Sequence, residues 1–266
     1  MAKRKGPRTA AFFDLDKTII ATTSSIAFTR PFFKGGLITR ADALRTAYAQ
    51  FLFLIGGADE RQTTRLRDAL SELVKGWEVA RVNELVEETV KELIDPVVYE
   101  EAIELIRRHQ ANGRDVVIVS ASGSDLVRPI SELLGADHMI ASAMEVKNGF
   151  YTGVINFYAY GPRKAEAILA LAEERGYELD DCYAYSDSIT DAPMLNVVGH
   201  GFAVNPDRTM RRAAELNGWG ILRFKKPVGL RQGTRAASYI VSFTLVALAF
   251  LAALLYYRSR KRRQSH

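Results

Sequence analysis

Thr9-Ala10-Ala11-Phe12-Phe13-Asp14-Leu15-Asp16-Lys17-Thr18 runs from five uncharged, mostly apolar residues straight into two aspartates separated by one leucine. An unbroken apolar run, rather than an alternating one, predicts a strand covered on both faces, as in parallel sheets flanked by helices. Two carboxylates at i and i+2 just past such a strand face the same way if strand geometry persists. One can then attack an electrophile while the other moves a proton. Taken alone, Asp-x-Asp-x-Thr fits a turn or a helix cap equally well.

Working outward, two further apolar runs end in polar residues: Asp115-Val116-Val117-Ile118-Val119-Ser120, and Cys182 to Tyr185 followed by Ser186-Asp187. Between and around them the chain is helical by periodicity. Asp42–Leu54, Asp59–Lys75 and Glu78–Ile94 carry apolar residues at helical spacing, with Gly56-Gly57 and Gly76 as breaks. Asp95-Pro96 reads as an N-cap with proline at the first helical position, opening a helix that Gly113 closes. Helices over about 125–134 and 163–175, a short strand at His138-Met139-Ile140 and a hairpin from Met144 to Phe157 around Asn148-Gly149 complete the pattern. Strands alternating with helices describe an open, Rossmann-like parallel α/β sheet, whose site lies beyond the carboxyl ends of the strands. Three polar strand ends are expected to converge there.

Four segments in order resemble the haloacid dehalogenase superfamily of phosphatases, in the branch that contains phosphoserine phosphatase. They are Asp14-Leu15-Asp16-Lys17-Thr18, Ser120 after its apolar strand, Lys164 in Gly161-Pro162-Arg163-Lys164, and Ser186-Asp187-Ser188-Ile189-Thr190-Asp191. The resemblance spans about residues 9–225. It implies a core of residues 9–24 and 95–225 with a helical cap, 25–94, inserted between the first two motifs. It also implies a hydrolase of phosphomonoesters in which Asp14 attacks phosphorus and Asp16 protonates the leaving group. Thr18, Ser120 and Lys164 would hold phosphoryl oxygens. Asp14, Asp187 and the backbone carbonyl of Asp16 would bind Mg2+, and Asp191 would orient Lys164 or a metal-bound water. A phosphotransferase would use the same residues.

One departure bears on substrate. Phosphoserine phosphatases carry a glutamate nine residues beyond the nucleophile to pair with the substrate ammonium, and here that residue is Thr23. The cap is rich in apolar residues, among them Phe28, Pro31, Phe32, Phe33 and Phe51-Leu52-Phe53-Leu54-Ile55. These serve either as the core of a small bundle or as an apolar mouth for a lipid phosphate. The competing readings are a phosphatase of soluble metabolites and a membrane scaffold without catalysis. The scaffold is disfavoured because every expected aspartate is present.

The chain of 266 residues carries a formal charge of +5, unevenly spread. Ten of its 36 basic residues follow Glu215 and no acidic ones do, which leaves 26 basic against 31 acidic, a net −5, in residues 1–215. An acidic body with a basic tail is not the footprint of a nucleic-acid binder. Residues 236–257 are 22 consecutive uncharged positions, about 33 Å as a helix against a hydrocarbon core of about 30 Å. Tyr239, Tyr256 and Tyr257 sit at its ends, a basic linker (226–235) precedes it, and a basic tail (258–266) follows. A single-pass anchor in the cell membrane is expected. The opening residues show no secretory signal pattern and Cys182 is the lone cysteine, from which a cytoplasmic catalytic domain is expected. The four histidines are scattered without ligand spacing, against a zinc enzyme. Oligomeric state is left open.

Overall fold

The computed structural model describes residues 8–38, 68 and 71–225. The expected helix at Asp42–Leu54, most of that at Asp59–Lys75, the linker, the 236–257 segment and the basic tail lie outside the described residues. No helix among the described residues is long and apolar enough to cross a membrane.

The opening segment forms β1 (Ala10–Asp14), and all five of its residues are buried. Its composition follows from its place at the centre of a seven-stranded sheet, where helices cover both faces. Ala11 and Phe13 face one core with Ile94, Ile106, Val127 and Ile130. Ala10 and Phe12 face the other with Ile168, Met194, Leu195 and Met210. Full burial of a Phe side chain contributes about 1.5–3 kcal/mol, so both faces of the strand reward apolar residues.

The other strands are β2 (Asp115–Gly123), β3 (His138–Lys147), β4 (Phe150–Phe157), β5 (Tyr183–Ser186), β6 (His200–Val204) and β7 (Gly220–Leu222). Their spatial order is β4-β3-β2-β1-β5-β6-β7. All neighbours are parallel except β3 and β4. Strand β1 lies between β2 and β5, with Asp14 level with Val119 and Phe13 level with Tyr185. The strand order reverses at β1, so its carboxyl end opens on the crevice where ligands of such sheets bind.

Two expectations are corrected. The short strand near His138 and the first arm of the hairpin are one strand, β3, with nothing between them to break it. Its turn is as expected: Asn148 (φ 52°) and Gly149 (φ 84°) both take the positive φ that a tight two-residue hairpin needs. The free edge of β4 is partly covered, because Tyr151 donates to Trp77 O while Gly76 and Val79 donate to Tyr151 and Gly149 carbonyls.

Asp95-Pro96, by contrast, opens no α-helix. Asp95–Val97 is a single 3-10 turn ending α3 (Val79–Ile94), and α4 (Glu100–Ala111) starts only after an extended Val98-Tyr99. The competing partner is the loop after β1: Ala21 donates to Val97 O at 2.8 Å and Tyr99 to Ile19 O at 2.9 Å. Those bonds hold the chain extended where it returns from the cap.

In the cap, α2 (Thr29–Lys34) packs on α3, and α1 (Ser24–Ala27) on α2. Phe28 and Phe32 are buried with Val82, Leu85 and Val86, and of the first aromatic group only Phe33 is exposed. The core helices are completed by α5 (Ser124–Leu134), α6 (Pro162–Arg175), α7 (Ala192–Asn196) and α8 (Arg208–Asn217).

Candidate active site

Beyond Asp14 the strand geometry stops. Thr18, Ile19 and Ile20 all donate to the single carbonyl of Leu15, and Lys17 takes a left-handed φ of 62°. The chain thus turns sharply at Asp16-Lys17, and the loop lies over the carboxyl end of the sheet.

Lys164, on the first turn of α6, reaches back across the sheet. Its Nζ donates to Asp14 Oδ1 at 2.6 Å and to Asp191 Oδ2 at 2.7 Å. Asp191 Oδ2 also accepts from Ser186 Oγ at 2.7 Å. Lys164 and Asp191 are 3% and 2% exposed, so these are charged groups withdrawn from water. Burial opposes the ammonium, but Asp14 and Asp191 outweigh it and hold Lys164 above the ordinary lysine range.

Asp14 is shifted the other way from an ordinary ion-pair member. Burial raises its pKa first; Lys164 pulls it down, and Asp191, Asp187 and Asp16 push it up again. A lysine partner alone would lower it. Burial is thus the main cause of the rise in Asp14, and the three neighbouring carboxylates deepen it against the pull of the Lys164 ammonium. Asp187 follows suit, pushed up to about 6 by burial, with Lys17 opposing and Asp191 adding. Four carboxylates converge around one buried ammonium, and a divalent cation would relieve the excess.

The donor set suits a hard cation. Among the described residues no group of three or more His, Cys, Asp or Glu side chains is arranged to hold a metal. Asp14 and Asp187 could offer two carboxylates, a sparse oxygen set of the kind Mg2+ uses when it keeps several waters.

The remaining expected residues are all at this end of the sheet. Ser120 is 1% exposed on β2, and its Oγ accepts from Ser122 N at 3.2 Å. Thr18 is fully buried, and its hydroxyl is engaged with Asp187: Oγ1 accepts from Asp187 N at 3.0 Å and donates to Asp187 Oδ1 at 3.5 Å. Thr18 thereby ties the loop after β1 to the loop after β5.

Asp16 is clasped by residues to which the sequence reading gave no role. Its Oδ1 accepts from Ser24 N at 2.7 Å; its Oδ2 accepts from Ser122 Oγ at 3.2 Å and Ser24 Oγ at 3.4 Å. Burial pushes its pKa up, against the Ser24 and Ser122 hydrogen bonds and the field of Lys164. Ser122 was discoverable as the second residue beyond Ser120 on the same strand. Nothing in the sequence marks Ser24.

A buried nucleophile-type carboxylate paired with a lysine at the switch point of a parallel sheet can now be set beside known proteins. Residues 11–196 match the model of the haloacid dehalogenase-like hydrolases. The chain belongs to that family. Within it, the chain is 51% identical over 248 residues, covering 92% of itself and 86% of its relative, to a probable phosphatase of Mycobacterium tuberculosis. It is 54% identical over 263 residues, 96% of itself and 95% of its relative, to an inhibition of morphological differentiation protein of Streptomyces azureus. A solved phosphoserine phosphatase, an analogue of its phospho-aspartyl intermediate, superposes with a TM-score of 0.59 at 22% identity, over 83% of this chain and 95% of that one, a likeness of fold. This haloacid dehalogenase-like hydrolase is an enzyme of the phosphatase type.

Proposed function

We propose that the enzyme hydrolyses phosphomonoesters in two steps through a phosphoryl group carried on Asp14, with Mg2+ bound at the carboxyl end of the sheet. The observation that carries this reading is the Asp14–Lys164–Asp191 arrangement, which sets a buried carboxylate among other carboxylates and pins a buried ammonium beside it. Asp14 Oδ attacks phosphorus, the P–O bond to the leaving group breaks, and Asp16 gives that oxygen its proton. In the second step Asp16 takes a proton from water, which attacks the same phosphorus and returns Asp14 as a carboxylate. Lys164 stays protonated and stabilises charge on the transferring group, while the Ser120 hydroxyl is free to donate to a phosphoryl oxygen. Asp14, Asp187 and the Asp16 carbonyl would hold Mg2+, which would supply charge neutralisation and orientation of the phosphoryl group.

Membrane attachment is supported by the 22-residue uncharged segment at 236–257 with basic residues on both sides. Full-length protein should partition into the detergent phase of a cloud-point extraction, and recovery in the aqueous phase would contradict attachment. For a lipid substrate the described part of the cap offers little, since Phe28 and Phe32 are spent on packing against α3. Thr23, with a buried hydroxyl lacking a hydrogen-bond partner, supplies no charge to neutralise an ammonium, which favours a substrate other than phosphoserine. Full-length enzyme assayed on soluble and lipid phosphomonoesters should show hydrolysis that a chelator abolishes and Mg2+ restores. Hydrolysis insensitive to chelation would sink the metal assignment.

A further inference from the structure

We infer that Ser24 and Ser122 are positioning residues that together hold Asp16 where it can protonate the leaving group; this deepens the reading above and rests on it. Three oxygens meet at one point. Ser24 Oγ and Ser122 Oγ are 2.7 Å apart, and each also contacts Asp16 Oδ2, at 3.4 Å and 3.2 Å. The two serines come from regions 98 residues apart, one opening α1 at the start of the cap and the other on β2.

Neither serine has another structural task that explains this placement. Ser24 begins α1, yet its hydroxyl caps no helix amide and turns instead to Asp16 and Ser122. It is fully buried, so water offers it no alternative partner. Ser122 sits where the pairing of β2 with β3 slips, between Ser120–Ala141 and Gly123–Ser142. A bulge of this kind re-aims a side chain, and here the hydroxyl of Ser122 is delivered to Asp16 while its amide donates to Ser120 Oγ.

The backbone amide of Ser24 fixes only Oδ1 of Asp16. With that bond alone the carboxyl could still swing Oδ2 away from the leaving group. Two hydroxyls remove that freedom. The hydroxyls donate to Oδ2, which has a second lone pair, so this grip is compatible with the carboxyl carrying its proton toward the departing oxygen. It strengthens once the carboxylate is left behind. Alanine at either position keeps the amide bond but removes one of the two hydroxyls on Oδ2 and the contact between them.

The test compares kcat/KM on p-nitrophenyl phosphate and phenyl phosphate, using the full-length enzyme with Mg2+. p-Nitrophenolate leaves without a proton, whereas the more basic phenolate needs one. Ser122→Ala and Ser24→Ala should each lose about tenfold or more on phenyl phosphate and less than about threefold on the nitro ester, a general-acid contribution being about 100-fold or more in full. Ser122→Thr, which keeps the hydroxyl, should recover most of the difference, and unchanged melting temperatures should accompany it. Equal losses on both esters, or no loss on either, overturn the inference. Loss of both esters with a lowered melting temperature in the threonine variant as well would show a packing role instead. A wild-type enzyme that hydrolyses neither ester, with Asp14→Asn indistinguishable from it, removes the proposed activity itself and this inference with it.

Discussion

Lys164 Nζ stands between Asp14 and Asp191 with almost no exposure, so removing its charge strands two buried carboxylates. Breaking a buried ion pair from one side costs about 3–5 kcal/mol, mostly the penalty of the charge left behind. Lys164→Met, close in volume, should therefore unfold at markedly lower urea than wild type when both are measured in chelator, and should be inactive. A Met variant as stable as wild type would mean that the ammonium is not what neutralises this cluster. Residue by residue, the motifs that single out Asp14, Ser120, Lys164 and Asp187 are brought together at one end of the sheet. What the sequence could not reveal was how Asp16 is held. Two serines distant along the chain become neighbours only through the turn at Lys17 and the bulge after Ser120, and neither feature has a sequence signature.

At the scale of elements, apolar runs ending in polar residues identified β1, β2 and β5, because strands covered on both faces have no other way to be written. The return from the cap was misread, since Asp95-Pro96 carries the local signal of a helix start while backbone bonds to Ile19 and Ala21 keep Val98 and Tyr99 extended. Tertiary hydrogen bonding outweighed a local preference there. The start of β6 rests on close backbone approach: a Cβ at Gly199 would collide with the carbonyl oxygen of Asp180, a contact between two backbones that cannot give way cheaply. Gly199→Ala should destabilise the fold by about 3 kcal/mol or more, read by chemical denaturation, because overpacking costs about 1–3 kcal/mol even where side chains can adjust. An alanine variant of wild-type stability would show that the loop relaxes freely.

Across the whole molecule, the face of the sheet that carries Phe13 also buries a titratable group that catalysis does not use. His109 is 4% exposed, its Nε2 paired with Tyr185 Oη at 2.8 Å. Burial, with the fields of Arg114 and Arg108, lowers its pKa from 6.5 to about 4. The neutral ring is thus favoured by folding. Between those two values the unfolded chain binds a proton that the folded chain does not, so stability present above the unfolded pKa is lost as pH falls toward the folded one. The buried carboxylates Asp14 and Asp187, whose pKa values are raised, act in the opposite direction over the same range. The wild-type profile should therefore drop by on the order of 2 kcal/mol relative to that of His109→Gln across that window. An equally steep drop in the glutamine variant would assign it to other groups.

In the proposed mechanism every step depends on a carboxylate oxygen of Asp14 receiving the phosphoryl group. The most direct measurement is acid-quench mass spectrometry of the full-length enzyme during turnover of p-nitrophenyl phosphate with Mg2+. A phosphoryl adduct on the peptide containing Asp14, acid-stable, alkali-labile and missing in Asp14→Asn, is the predicted result. Turnover with no adduct on that peptide, or with the phosphoryl group on a serine or histidine, would contradict it.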